Sequence, residues 1–116
     1  SYQKIIVIEE NIAAKHMNVG LYYLNDKKYM AAMNRFNLVI NNHSKTKFVP
    51  EALYRLVEIY YTLGLYEDAN KTTAVIGYNY PKSIWYQNAY NLINKDDKSK
   101  GLFNKIFKII KNDKED

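Results

Sequence analysis

The chain has 116 residues, of which 47% are hydrophobic and 15% aromatic, enough for one modest folded core. Its formal net charge is +5, but the charge is spread along the chain and only Arg35 and Arg55 are arginines, a pattern that argues against a nucleic-acid-binding stripe. The sequence lacks cysteine, which excludes disulfides and thiolate sites within it, and it has no run of about 18 apolar residues that would span a bilayer.

The first predicted helix runs from residue 2 to residue 24 and is longer than a normal repeat helix. Its early part is apolar and β-branched, at Ile5, Ile6, Ile8 and Ile12. The chain begins inside this helical pattern, without the apolar core or cleavage site of a signal peptide. We therefore expect a carboxyl-terminal piece of a longer protein, with this surface packed on a preceding repeat.

Helical periodicity predicts five further helices, and Ser83 is a suitable N-cap for the fourth of these. Residues 95–100 are predicted to form a charged linker before the last helix. The predicted helices cover residues 28–42, 49–63, 66–80, 84–93 and 101–111.

An internal repeat with an offset of 37 residues relates residues 18–44 to residues 55–81. The recurring pairs are Tyr23 and Tyr60, Tyr29 and Tyr66, Ala32 and Ala69, Val39 and Ile76, and Ser44 and Pro81. The offset equals the 34-residue period of tetratricopeptide (TPR) repeats plus three residues, which fit the loop 43–49.

A small residue is needed where the two helices of a TPR cross, because each pair must bury its apolar faces against neighbours. Gly20 and Ala32 supply small residues in the first repeat. In the second repeat Val57 stands where glycine is usual, opposite Ala69, which predicts a slightly wider crossing. Phe36 is predicted to pack between the helices of the first pair.

The turns of the two repeats are also predicted from the pattern. Tyr29 and Tyr66 should begin the second helix of each pair and cover its turn. Gly64 suits the left-handed residue at the end of a helix, and Asn25 is the expected counterpart in the first repeat. Pro81 should end the second pair.

The predicted fold is all-α: antiparallel TPR-like helix pairs stacked in a right-handed solenoid with a C-terminal capping helix. Two repeats, at about 2–44 and 49–81, and the helix 84–93 make up residues 1–94. The charged linker and an amphipathic helix make up residues 95–116. For this last helix three roles stay open: a cap on the solenoid, a docking helix for a partner, or a membrane-surface helix.

Several segments closely resemble the last two repeats of the BamD (ComL) family, lipoproteins of the outer-membrane β-barrel assembly (Bam) machinery. The resemblance covers about residues 9–93. The matching segments are Val19–Leu24, Ala31–Phe36, Ala52–Glu58, Gly77–Ser83 and Trp85–Tyr86.

The resemblance implies a periplasmic scaffold at the outer membrane of a Gram-negative bacterium. Its partners would be the membrane-proximal POTRA domain of the BamA insertase and accessory Bam lipoproteins. Family members carry a lipidated cysteine at the mature N-terminus, and we expect that anchor and the substrate-recognising half to lie outside this chain. The tail after Lys95 has no counterpart in the family pattern.

The two arginines are candidate partner-binding residues, because arginine offers a planar, bidentate donor set that lysine lacks. Arg35 is expected to pair with a carboxylate of the POTRA partner, or alternatively within its own chain. Arg55 lies four residues after Glu51 and three before Glu58, so a local ion pair is its main alternative.

Aromatic and histidine residues complete the candidate set. Tyr78, Tyr80 and Tyr86 are expected to be the exposed tyrosines around the last turn, although core packing is the alternative for all the tyrosine rings. His16 occupies the usual large aromatic position of the repeat, which favours a packed, hydrogen-bonded imidazole. His43 is the only other histidine.

Catalysis and cofactors are not expected. The sequence has no metal-ligand spacing, phosphate-cradling glycine loop or nucleophile elbow. Two other binding functions stay open: a TPR adaptor that captures a peptide in its concave groove, and a basic module for membranes or nucleic acids. The leading prediction is a non-catalytic scaffold without nucleic-acid partners.

Overall fold

The computed structural model describes residues 1–95 and 97–115, and these residues contain six α-helices and no strand. The predicted all-α class with TPR-like helix pairs is confirmed. None of the helices in the described ranges is both long and apolar enough to cross a membrane. The helices are α1 (Tyr2–Asn25), α2 (Tyr29–Asn42), α3 (Val49–Thr62), α4 (Tyr66–Asn79), α5 (Ile84–Ile93) and α6 (Asp97–Glu115).

The chain forms two compact units, Ser1–Ala52 and Leu53–Asp116. In the first unit α1 packs along α2, and the first turn of α3 belongs to this unit. In the second unit α4 packs against both α5 and α6, and α5 also contacts α6.

The two repeats close their turns in the same way. Lys28 N donates to Tyr23 O at 2.9 Å in the first repeat, and Leu65 N donates to Tyr60 O at 2.8 Å in the second, 37 residues later. These bonds belong to the Schellman motif, in which the preceding residue takes a left-handed conformation.

The left-handed residue of the second turn is Gly64, with φ of +77°, as predicted. Its counterpart is Lys27, with φ of +60°, so the prediction of Asn25 for this role is wrong. The hydrogen-bond register explains the difference, because Lys27, not Asn25, stands 37 residues before Gly64. Tyr29 and Tyr66 are the first residues of α2 and α4, which confirms that they begin these helices.

A glycine–phenylalanine contact sets how closely α1 and α2 approach. Ala13, Met17 and Gly20 form the buried face of α1, and a Cβ added to Gly20 would lie 2.6 Å from Cε1 of Phe36. The Phe36 ring is fully buried. Phe36 therefore packs between the helices as predicted, and it occupies the space that a side chain at position 20 would need.

The second repeat has two medium-sized residues where the first has a glycine and a phenylalanine. Val57 and Thr73 stand 37 residues after Gly20 and Phe36, and both are fully buried. The Thr73 hydroxyl donates to Ala69 O at 2.8 Å, which satisfies it inside the helix. A larger residue on one helix and a smaller one on the other keeps the summed volume of the pair similar, a change that protein cores tolerate well.

A second glycine contact joins α4 to α5. A Cβ added to Gly77 would lie 2.5 Å from Cε1 of Tyr86, so the Tyr86 ring lies against the backbone of α4. Ser83 caps α5 by accepting a hydrogen bond from Trp85 N at 3.1 Å, and this predicted N-cap is confirmed.

Helix α6 is longer than predicted at both ends. It begins at Asp97 and ends at Glu115, so the prediction of a linker over residues 95–100 is wrong from Asp97 onward. The segment contains no proline and its only glycine, Gly101, lies inside the helix, so nothing in the sequence forbids helix there. Phe103 is buried and meets Tyr90 edge-to-face at 5.3 Å, so α6 covers apolar surface of its own unit.

The start of α1 exposes a row of large apolar side chains. The exposed fractions lie between 40% and 75%, although such side chains are normally buried. The exposed residues are Tyr2, Ile5, Ile6, Val7, Ile8 and Ile12. Packing of a preceding repeat on this surface stays a prediction.

Replacing Gly20 should destabilise the fold although alanine is the better helix former. Gly20→Ala should lower the free energy of unfolding by about 1–3 kcal/mol, because the new methyl overlaps the buried Phe36 ring. Gly101→Ala is the matched control, since nothing lies within 4 Å of its Cβ position, and it should stabilise by about 0.5–1 kcal/mol. Denaturant unfolding followed by circular dichroism measures both.

The different residue sizes at this pair of positions in the two repeats suggest a double substitution in which one change offsets the other. Gly20→Val with Phe36→Thr copies the pair found in the second repeat, and should cost less than the sum of the two single substitutions. Strict additivity in the same unfolding measurement would contradict a direct steric coupling between positions 20 and 36.

Candidate partner-binding site

Four polar side chains of the first unit form a connected group, the histidine–arginine cluster: Glu9, His16, Arg35 and His43. Glu9 and His16 lie seven residues apart and so share one face of α1. Arg35 is on α2, and His43 directly follows the last residue of α2. The packing of α1 on α2 therefore brings these residues together.

The contact between Arg35 and His16 fixes the protonation of one ring nitrogen. Arg35 Nη1 lies 3.1 Å from His16 Nδ1. A guanidinium has donors and no acceptor, so Arg35 donates and Nδ1 must carry the lone pair. His16 is thus neutral, with its proton on Nε2.

In His43, unlike His16, the Nδ1 atom acts as a hydrogen-bond donor. Its Nδ1 lies 2.5 Å from Glu9 Oε2, and an ionised carboxylate only accepts, so Nδ1 of His43 carries a proton. The two imidazole rings are 5.6 Å apart at 34°. The Thr46 hydroxyl donates to His43 O at 2.8 Å, which holds the backbone that carries the ring.

The environment lowers the pKa of His16 below its usual 6.5. Burial is the main cause, because it disfavours the charged imidazolium. The neighbouring Arg35, His43 and Lys15 act in the same direction through their positive charges. The imidazole is therefore held in the neutral form that Arg35 needs as an acceptor.

The positive charge of Arg35 is not neutralised by a carboxylate in the part of the chain that the structure describes. Its side chain is half-buried, and within the described ranges it forms no ion pair with a carboxylate, since its one hydrogen-bond acceptor is the neutral ring of His16. The structure thus contains no salt bridge of Arg35 among the described residues, and pairing of Arg35 with a partner carboxylate stays a prediction. Its remaining N–H groups can serve a carboxylate of another molecule.

A groove of about 410 Å³ lies beside the cluster, between the start of α1 and the loop after α2. Glu9 and His43 form part of its wall, and Ile5 and Ile6 part of its apolar surface. Glu10 accepts a bond from Lys47 N at 3.3 Å through Oε1. The groove is an open surface feature of the first unit.

Arg55, in the second unit, contacts Glu58, Tyr54 and Trp85. Nη1 donates to Glu58 Oε1 at 2.8 Å, which confirms the predicted local ion pair with Glu58. Its Cζ lies 5.3 Å from the ring centres of both Tyr54 and Trp85, within the range of a cation–π contact. Burial and the nearby Glu58 raise the pKa of Tyr54.

The three candidate tyrosines are half-buried rather than exposed, so that part of the prediction is wrong. Tyr86 packs on Gly77, and burial, followed by the neighbouring Tyr90, raises its pKa. The Tyr78 ring lies 5.1 Å from Lys114 Nζ. The role of Tyr78, Tyr80 and Tyr86 in partner binding stays a prediction.

A second groove, of about 450 Å³, begins where α4 ends. Tyrosine rings and exposed polar side chains line it, a composition that suits protein contacts. Its lining residues are Pro81, Lys82, Ser83, Tyr86, Gln87 and Tyr90.

The site offers binding chemistry. In the described part of the chain no three or more acidic, histidine or cysteine side chains come together as metal ligands. The first unit contains Arg35 and the second contains Arg55 and the three tyrosines.

The sequence did not predict the connected group formed by His16, His43 and Glu9. The hydrogen bond between His43 and Glu9 joins residues 34 positions apart, and helical periodicity does not reveal such a pair.

Comparison with known proteins places the chain among outer membrane proteins. Residues 1–76 match the YfiO family, described as outer membrane lipoprotein. The outer membrane protein assembly factor BamD of Rickettsia prowazekii is 51% identical over 90 residues, which are 78% of this chain and 36% of that protein. BamD of Caulobacter vibrioides is 46% identical over 91 residues, 78% of this chain and 30% of that protein.

A more distant relative gives the same picture. BamD of Neisseria meningitidis serogroup A is 30% identical over 87 residues, 75% of this chain and 33% of that protein. The chain thus spans about a third of the length of the curated relatives it matches. No solved structure matches it significantly.

Removing the guanidinium of Arg55 should destabilise the second unit. Arg55→Met keeps the apolar stem but loses the ion pair and both ring contacts, and should lower the free energy of unfolding by about 1–2 kcal/mol. Arg35→Met is the matched control, and its cost should be smaller because it removes one hydrogen bond to a neutral ring. Equal losses in denaturant unfolding would contradict the assignment of Arg55 to a structural role.

The pKa of His16, measured by NMR titration of its ring protons, should lie below 6.5. Below that pH, His16 is then protonated to a greater extent in the unfolded chain than in the folded chain. The contribution of His16 to stability is therefore complete above about pH 6.5, and it is lost as the pH falls through the folded-state pKa. His16→Asn should remove this part of the pH dependence. Arg35→Gln should raise the pKa of His16, since it removes a neighbouring positive charge; an unchanged or lower value would contradict the contact.

Proposed function

Since this chain belongs to the YfiO family of outer membrane lipoproteins, we propose that it is a non-catalytic scaffold segment of an outer membrane β-barrel assembly factor. The relatives that it matches are named as assembly factors, and outer membrane association follows from the family. The partner-binding surface faces the periplasm, and the segment acts by binding partner proteins and fixing their positions.

The environment of the Arg35 guanidinium is the observation that supports the proposal. A half-buried guanidinium that meets no carboxylate in the described part of its chain can be matched by a carboxylate of another molecule. Its planar donors fit a carboxylate bidentately. Arg55, by contrast, is occupied by Glu58, Tyr54 and Trp85, which leaves Arg35 as the arginine suited to an external partner.

The proposed partner is the membrane-proximal POTRA domain of the BamA insertase, with accessory Bam lipoproteins as further partners. An acidic side chain of that domain would bind at Arg35. The half-buried tyrosines beside the groove that begins at Pro81 would supply contact area for a second protein.

Charge reversal at Arg35 should weaken this complex. Arg35→Glu places a carboxylate against a carboxylate, and should raise the Kd for the isolated POTRA domain at least about tenfold in calorimetric titration. Lys108→Glu, at an exposed position of α6, is the matched control because it changes the net charge equally, and its affinity should stay within about twofold of the starting chain.

Folding of each variant is checked by circular dichroism. Equal affinity of a folded Arg35→Glu chain and the unsubstituted chain would contradict the proposal. Equal weakening by Arg35→Glu and Lys108→Glu would point instead to a general charge effect.

A further inference from the structure

An arginine side chain has many rotamers, and ordering it on binding costs conformational free energy. An arginine already held in place binds a carboxylate more tightly, because that cost is met before the partner arrives. The structure shows one group that holds Arg35, the Nδ1 atom of His16 at 3.1 Å.

We propose that His16 is a positioning residue for Arg35: its unprotonated Nδ1 accepts one N–H of Nη1 and so directs the remaining N–H groups toward a partner carboxylate. The inference rests on the proposed function, in which Arg35 binds that carboxylate. It adds a second residue, on a different helix, that sets the strength of the same contact.

His16 is itself held by fixed groups. Its ring lies 5.6 Å from the ring of His43, which is bound by Glu9 Oε2 at 2.5 Å and whose backbone is bound by the Thr46 hydroxyl at 2.8 Å. A connected series of contacts therefore runs from Glu9 through both imidazoles to the guanidinium. These part-buried contacts together limit the positions that the His16 ring can take.

The arrangement works only while His16 is neutral. A proton on Nδ1 would set an N–H against the N–H of Arg35 and place a second positive charge beside the guanidinium. The charged or titratable groups that act on His16 are Arg35 from α2, His43 from the following loop and Lys15 from α1. Burial and these three groups all disfavour protonation of His16, so the acceptor persists at neutral pH and is lost on acidification.

Two substitutions of His16 separate positioning from packing. His16→Asn places an amide oxygen near the position of Nδ1 and keeps an acceptor for Arg35. His16→Leu fills similar space without an acceptor. Calorimetric titration of the full 116-residue chain with the isolated membrane-proximal POTRA domain should show about a fivefold higher Kd for His16→Leu, the equivalent of one net hydrogen bond, and a Kd within about twofold for His16→Asn.

A double-substitution cycle shows whether the effect passes through Arg35. In an Arg35→Gln background His16→Leu should change the Kd by less than about twofold. The pH profile is the second readout. As the pH falls below 6.5 and through the lowered pKa of His16, the unsubstituted chain should lose more affinity than His16→Asn, and this difference excludes titration of the partner itself.

The outcomes distinguish this inference from the proposed function. If Arg35→Gln binds like the unsubstituted chain, or if that chain does not bind, both are overturned. If Arg35→Gln weakens binding but His16→Leu does not, or weakens it equally in both backgrounds, only the positioning role is overturned. Should His16→Leu fail to fold, the pH profile of His16→Asn decides, and a profile identical to that of the unsubstituted chain rejects the role.

Discussion

The close approach of α1 to α2 at Gly20 is the constraint on which the first unit depends. Only the absence of a side chain at Gly20 leaves room for the buried Phe36 ring. The same approach builds the polar cluster, because Arg35 directly precedes Phe36 and His16 lies one helical turn before Gly20. A wider crossing would therefore loosen the apolar core and separate the guanidinium from the imidazole that accepts from it.

The two arginines differ in the groups that their guanidinium contacts. Arg55 combines an ion pair with two aromatic contacts inside its own unit, and such a residue contributes to stability. Arg35 has a neutral acceptor and no carboxylate in the described part of the chain, so its remaining N–H groups are not engaged by an acidic side chain there. The difference arises from the neighbours, Glu58 and Trp85 in one case and His16 in the other.

Much of the fold could be predicted from the sequence, since the 37-residue offset places both turns, both crossings and the helix-opening tyrosines in register. The offset also explains the turn that was misassigned, because Lys27 and not Asn25 corresponds to Gly64. The Gly77–Tyr86 contact and the linkage of Glu9, His43, His16 and Arg35 could not be predicted in this way. Both join residues of different structural elements, and such pairs leave no periodic trace in the sequence.

Site-specific photo-crosslinking in cells tests whether the surface around Arg35 contacts the proposed partner. A photoreactive residue at Asn34, which is exposed and adjacent to Arg35, leaves the arginine in place, and the same residue at exposed Lys71 on α4 serves as the control. We expect a crosslink from position 34 to the membrane-proximal POTRA domain, identified by mass spectrometry and lost with Arg35→Glu. A crosslink that persists with Arg35→Glu, or one to an unrelated protein alone, would contradict this expectation.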